Sequence, residues 1–319
     1  MTSLASQFYT RATNFASALS GNVDPRMGQY TINLAIGTLN ANDLLGPSIP
    51  LGLSYSPQNT GNMGFGIGFS IGLSSYDTQQ TLLSLSSGEQ YYTDTNLILK
   101  QNRLQAVSLQ NDGKNYKVLY KNGTVELLDG PGTANAVKVT RKIFSPEGRY
   151  VSLSWNYSQN PPRLQSIQDE AGTSLLSIKY PDASSLQTVL SVRPGTTEGY
   201  NVTLSFDNGY LLNASCDALG GSDKTLEWAI DYTGFGSKWP GQWAYKLTSP
   251  GGLIETATYS SGHRFPTNAT SMQNLRLPYV TQFTRQPGGG AQQPDLTLTY
   301  DYDPDSTGNN FLGFGAPNV

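Results

Sequence analysis

The chain has 319 residues, of which 13% are charged, against roughly a quarter in ordinary globular domains, and its formal net charge is −3. That balance argues against a nucleic-acid protein, which needs clustered Lys and Arg. No stretch reaches the roughly 20 apolar residues of a membrane helix, residues 1–20 lack the pattern of a secretory signal peptide, and one cysteine (Cys216) with one histidine (His263) excludes an internal disulfide and cysteine-rich zinc sites.

Ser3 to Leu19 is the one stretch with helical spacing. Leu4, Phe8, Ala12, Phe15 and Leu19 recur every three or four residues, Ser3 is placed to cap the start, and Gly21 follows. The stripe is narrow, so residues 1–20 are expected to form a short helix or a disordered docking arm. From Gly21 the period becomes two. Tyr30, Ile32, Leu34 and Ile36 alternate with Thr31, Asn33 and Ala35, and Leu51, Leu53 and Tyr55 continue the pattern. Phe65, Ile67, Phe69, Ile71 and Leu73 alternate with Gly64, Gly66, Gly68, Ser70 and Gly72. This predicts a strand with one bare face on which something packs closely.

Turn chemistry then recurs at short intervals. Asn122-Gly123 and Asn208-Gly209 sit between alternating runs, the strongest short hairpin signal because both residues tolerate positive φ. Ser145-Pro146-Glu147-Gly148 and Ser249-Pro250-Gly251-Gly252 predict turns in which proline sets φ. Leu296, Leu298, Tyr300 and Tyr302 alternate near the end. The expectation is an all-β protein, an antiparallel strand-turn-strand meander forming a curved sheet, with a β-sandwich or a propeller-like piece as alternatives. Echoes such as Arg103-Leu104-Gln105 and Arg163-Leu164-Gln165 point to a degenerate series of hairpins. The expected organisation is an arm at 1–20, a Gly-rich β block at 21–135, and β hairpins at 136–319.

Little of this carries catalytic chemistry. His263 lies among turn residues in Ser261-Gly262-His263-Arg264-Phe265-Pro266 and reads as a surface polar residue. No Gly-x-Ser-x-Gly elbow occurs, and Cys216 reads as a small buried thiol. No nucleotide-binding fingerprint, metal site or cofactor is expected. Paired carboxylates keep one enzymatic option open, glycan hydrolysis, with Glu227 and Asp231, Asp169-Glu170, or Asp301, Asp303 and Asp305 as candidates. Trp228, Tyr232, Trp239, Trp243 and Tyr245 crowd into one segment. Such rings either stack on sugars, as a carbohydrate-binding module would, or stiffen neighbouring strands from inside.

The order of several motifs resembles one family. Val23-Asp24-Pro25-Arg26-Met27-Gly28-Gln29-Tyr30, Leu51-Gly52-Leu53-Ser54-Tyr55, Phe144-Ser145-Pro146-Glu147-Gly148, Arg163-Leu164 through Asp169, and Asn310-Phe311-Leu312-Gly313 together are similar to Rhs/YD-repeat proteins, polymorphic toxins that include relatives of Tc toxin shell components. The Tyr-Asp repeat itself is degenerate here, Tyr300-Asp301-Tyr302-Asp303 being the nearest match, and the self-cleaving motif and variable toxin end are absent. The resemblance implies a non-enzymatic, amino-terminal structural module of a β shell that encloses a toxic C-terminal polypeptide. Its implied partners are that toxin or the remaining shell, and a secretion or delivery protein met through the N-terminal arm. It also implies a bacterial protein, cytoplasmic before export and secreted without a signal peptide.

Overall fold

The computed structural model describes residues 19–25, 28–113, 115–130, 137–183, 185–218, 225–234, 241–264, 276–288 and 293–302. Expectations placed on the arm at 1–18, on Trp239, and on Asp303, Asp305 and the segment Asn310–Gly313 lie outside these residues. The fold is all-β, as the alternation predicts, and every strand pairing among the described residues is antiparallel.

Four strands make a small sheet in the order β1 (Leu19–Asp24), β2 (Gln29–Asn40), β3 (Ser48–Tyr55) and β4 (Phe69–Ile71). Its two-residue pattern sets its faces. Tyr30, Ile32, Leu34 and Ile36 of β2 and Ile49, Leu51, Leu53 and Tyr55 of β3 are buried, while Asn33, Ala35, Pro50 and Ser54 face outward.

The predicted strand at 65–73 forms only at Phe69–Ile71. Upstream the chain is a loop, because Gly64, Gly66 and Gly68 take φ of +96, +103 and +89°, a region other residues enter only under strain. Close packing on those glycines is real. A Cβ would fall 2.3 Å from the Tyr180 ring at Gly64 and 3.1 Å from the Leu211 amide nitrogen at Gly66. Phe65 and Phe69 are fully buried beside them.

The rest is one ribbon. β8 (Val107–Asn111), β9 (Tyr116–Tyr120), β10 (Val125–Asp129), β11 (Val137–Phe144), β12 (Tyr150–Asn156), β13 (Arg163–Asp169), β14 (Ser174–Lys179) and β15 (Gln187–Val192) pair in sequence order. They are followed by β16 (Tyr200–Asp207), β17 (Tyr210–Cys216), β18 (Leu226–Gly234), β19 (Gln242–Thr248), β20 (Ile254–Arg264), β21 (Arg276–Gln286) and β22 (Leu296–Thr299). A side branch of β5 (Ser75–Asp77), β6 (Leu82–Ser84) and β7 (Gln90–Tyr92) joins at β11, whose Val137–Val139 pairs with β5 while its Lys142–Phe144 pairs with β12. Among the described residues β22 pairs with β21 alone, so the ribbon does not close on itself.

The small sheet lies crosswise on the ribbon. Gln29, at the start of β2, donates from Nε2 to the Pro278 carbonyl of β21 (3.0 Å), and Tyr200 of β16 donates its hydroxyl to the Ile36 carbonyl farther along (2.8 Å). Seven residues of strand cover about 24 Å, which is also about the width of five strand spacings. β2 therefore runs nearly at right angles to the strands beneath it, one of the two ways stacked sheets pack. The main core fills the space between, whereas Tyr76, Leu83, Leu99, Val107, Leu109, Val118 and Leu128 form a satellite core on the branch side. The packing thus divides the block at 21–135: residues up to Ile71 belong with the hairpins, and β5–β10 build around their own core.

Two repeated devices appear in the ribbon. The first is a turn in which the fourth residue is a positive-φ glycine whose N–H bonds the carbonyl three residues back: Leu85–Gly88, Tyr120–Gly123, Ser145–Gly148, Asp169–Gly172 and Ser249–Gly252. Asn122-Gly123 falls into this set, closing the predicted hairpin through Lys121-Asn122-Gly123 between Tyr120 and Thr124. Asn208-Gly209 is a two-residue turn, with φ of +48 and +83° between the paired Asp207 and Tyr210. The second device is a bulge. Arg141, Gln165, Leu212 and Tyr245 are each the extra residue where the register slips, and the carbonyl just before each accepts a hydrogen bond from an aromatic on the following strand or its end. The donors are Trp155 Nε1 to Thr140 (2.7 Å), and the hydroxyls of Tyr180 to Leu164 (2.7 Å), Tyr232 to Leu211 (2.9 Å) and Tyr259 to Ala244 (3.1 Å). Bulges bend and twist strands, and these four are pinned the same way. Changing Tyr180, Tyr232 or Tyr259 to Phe is expected to cost about 1 kcal/mol each, additively within a few tenths, in urea unfolding. Values near zero would show that the bulges need no pin.

Candidate functional site

The aromatic segment is built into the wall. Trp228 and Trp243 are 1% and 4% exposed. Trp243 meets the Tyr259 ring edge-on at 5.7 Å, Tyr232 holds the Leu211 carbonyl and lies tilted against the Tyr210 ring at 5.3 Å, and half-buried Tyr245 is a bulge residue. Trp228 presents no open face to a sugar, and Trp243 sits at the edge of a cavity of about 340 Å³ that Tyr55 and Tyr210 also line. Trp228 fills the main core and Tyr232 satisfies a backbone group that a bulge releases, the placement that stiffening from inside describes. Trp243→Ala is accordingly expected to lower stability by about 3–5 kcal/mol in chemical denaturation, the cost of an emptied aromatic site.

The described candidate carboxylates are held apart in separate contacts. Glu227 and Asp231 are exposed on β18, and Asp231 pairs with Lys246 at 3.0 Å. Glu170 pairs with Arg149, and Asp169 is buried within its turn, accepting the Thr173 N–H at 2.8 Å. No cluster of three potential metal ligands occurs among the described residues. His263 falls inside β20, paired in register with Leu277, rather than in a loop. Cys216 is buried, and burial pushes its thiol up to about 11, far from a reactive thiolate.

One buried and one half-buried carboxylate mark the seams, and neither stood out in the sequence. Glu126 of β10 is 4% exposed at the fork of β11. The Tyr120 hydroxyl donates to its Oε1 (3.0 Å), Thr140 Oγ1 lies 3.2 Å from Oε2 and 2.8 Å from the Ser74 carbonyl, and Ser74 also faces it. Burial raises its pKa, with the surrounding hydroxyls partly opposing. Glu255 of β20 reaches across the layers to accept the Gly21 N–H at 2.8 Å; burial raises its pKa too, against the pull of Arg285. A folded-state pKa above the unfolded value contributes stability below the unfolded pKa and loses it as pH rises through the folded one. The stability that these two groups contribute is therefore expected to be lost as pH rises above the ordinary carboxylate range, and Glu126→Gln to flatten part of that slope in urea midpoints. An unchanged slope would remove Glu126 from the account.

The layers meet through several further bonds. Ala244 N–H donates to the Tyr55 hydroxyl (2.9 Å), Thr188 Oγ1 to the Gly64 carbonyl (2.7 Å), Ile67 N–H to Gly209 (2.8 Å), and Val280 N–H to Gly28 (2.8 Å). Two of the open surfaces among the described residues bear on assembly. One is the outer edge of β22, whose Leu298 is 42% exposed. The other is a groove of about 860 Å³ over the outer face of the small sheet.

No family model matches the chain, and no curated protein matches it. Solved structures do. The chain is similar to a crystal structure of TcdB2-TccC3 at 11% identity and a TM-score of 0.38, over 78% of this chain and 17% of that one. It is similar to the Photorhabdus luminescens Tc holotoxin pore carrying a TccC3 mutation at 11% identity and a TM-score of 0.37, over 78% and 16%. The chain spans about a sixth of the length of these solved chains.

Proposed function

We propose that this chain is a non-enzymatic wall segment of a larger β shell, with its own small sheet acting as a stopper over the inner face of the ribbon. The observation that carries this reading is the pairing of an open, hairpin-built ribbon with a sheet laid across it. A ribbon whose last described strand offers its backbone edge is a template for further strands, and the crosswise sheet fills the space that a hollow wall would leave. The motif order that resembles Rhs/YD-repeat proteins supports the same reading and supplies its context: further hairpins of the same kind, a toxic polypeptide behind the stopper, and release through a delivery protein. Low charge suits a wall that holds cargo without binding it tightly.

The test is assembly. A polypeptide carrying further hairpins of the same repeat, co-expressed with this chain, is expected to co-elute with it in size-exclusion chromatography. Thr297→Pro, which removes a ladder donor and stiffens β22, is expected to abolish co-elution while leaving the thermal transition nearly unchanged. Failure of the unmodified chains to associate would defeat the proposal.

A further inference from the structure

We infer that Glu126 is a neutral, hydrogen-bond-donating acid at the fork of the ribbon, and that loss of its proton unlatches the side branch β5–β7 from β11. This inference does not depend on the shell reading.

Ser74, Glu126 and Thr140 are all buried, so each polar hydrogen there needs an acceptor within the protein. Ser74 Oγ accepts the Ser86 N–H at 2.9 Å, which leaves its own hydrogen for the Tyr120 hydroxyl at 3.4 Å. Tyr120 in turn donates to Glu126 Oε1 at 3.0 Å. Thr140 Oγ1 carries one hydrogen and has two oxygens in reach, the Ser74 carbonyl at 2.8 Å and Glu126 Oε2 at 3.2 Å. A carbonyl can only accept. With the Thr140 hydrogen on that nearer carbonyl, the contact to Oε2 is filled only if the carboxyl itself donates. The groups then form one directed ring, from Ser74 Oγ through Tyr120, Glu126 and Thr140 back to the Ser74 carbonyl.

The surroundings favour the same proton. Ser74 before β5, Tyr120 of β9 and Thr140 of β11 are the groups that act on Glu126, and no charged side chain among the described residues joins them. Tyr120 is the one that titrates, and burial together with the neighbouring carboxyl pushes it above the ordinary phenol range, so it stays a donor. An ionised Glu126 is therefore a buried charge without a counter-charge. Its Oε2 and the Ser74 carbonyl then compete for the single Thr140 hydrogen, and one of them goes unmet.

The ring closes one end of a short seam. β5 meets β11 through Ser75–Val139, Tyr76–Lys138 and Asp77–Val137, and the bond from Thr140 to Ser74 lies directly beyond the first of these pairs. Breaking the ring frees that end of the ladder to fray, while β11 stays paired with β10 on its other side.

Hydrogen exchange at matched pH tests this in the full chain. Glu126→Gln keeps the ring without a titrating proton, because its amide nitrogen donates to Thr140 and its oxygen accepts from Tyr120. Comparing it with the unmodified chain in one buffer cancels the intrinsic pH dependence of exchange. In mildly acidic buffer the two are expected to match over residues 75–77 and 137–139. In mildly alkaline buffer the unmodified chain is expected to exchange at least about tenfold faster there, the factor for one pKa unit, with β15–β17 alike in both proteins. Thr140→Val, which deletes the carboxyl's acceptor, is expected to exchange fast at these positions in both buffers. A ratio near one in both buffers would overturn the inference. A ratio that rises equally over β15–β17 would also overturn it, by making the effect global. Infrared spectra give a second reading in mildly acidic buffer, where ordinary carboxylates are ionised: the unmodified chain is expected to show a protonated carboxyl band that Glu126→Gln lacks, and its absence would remove the ring.

Discussion

Tyr55→Ala is expected to cost about 3–5 kcal/mol, a large part of the 5–15 kcal/mol that holds a typical domain together. Tyr55 ends β3 at 2% exposure, with its ring against Phe69 (5.2 Å) and edge-on to Tyr232 (6.2 Å), and its hydroxyl accepts the Ala244 N–H. Truncation empties the space between the layers and strands a buried amide. Tyr55→Phe keeps the ring and loses the acceptor, so about 1–2 kcal/mol is expected from the orphaned donor alone. Urea unfolding of the two variants separates packing from hydrogen bonding. Equal, small losses would mean that the layers do not depend on this residue.

Gly66→Ala is expected to be nearly as damaging, about 3–5 kcal/mol, because two costs coincide. Its φ of +103° strains any residue with a Cβ, and that Cβ would lie 2.9 Å from Leu211 Cβ and 3.1 Å from the Leu211 amide nitrogen, inside the ribbon. Gly148→Ala isolates the first cost. It has φ of +87° and open space around it, so a loss of about 1 kcal/mol is expected. A thermal melt in which both substitutions behave alike would show that the loop at 57–68 is not pressed against the ribbon.

Much of the fold was legible from alternation alone. Tyr30 to Ile36 and Leu51 to Tyr55 keep strict period two because one face is buried and the other is not. The loop at 64–68 shows the same spacing for a different reason: glycines at every second position sit under positive φ, and period two cannot distinguish this from a pleat. Asn122-Gly123 and Asn208-Gly209 both mark hairpins, but the dipeptide alone does not separate a glycine in the fourth turn position from a two-residue turn. The bulges left only a faint mark. Thr140, Leu164, Leu211 and Ala244 are not one residue type, because it is their carbonyls that matter, and the donors that reach them lie 15 to 21 residues downstream. The tryptophan cluster was visible as a cluster, yet sequence does not say which side of a strand wall its rings occupy. Glu126 was hidden because its partners are hydroxyls with no charge pattern.

Amide hydrogen exchange across a denaturant series reaches the central claim most directly, since it reads the opening free energy of each layer separately. If the crosswise sheet and the ribbon hold one core between them, the amides of β2 and β3 and those of β16 to β20 will open together at the global unfolding free energy. Exchange of β2 and β3 at markedly lower free energy, with the ribbon still protected, would contradict the account.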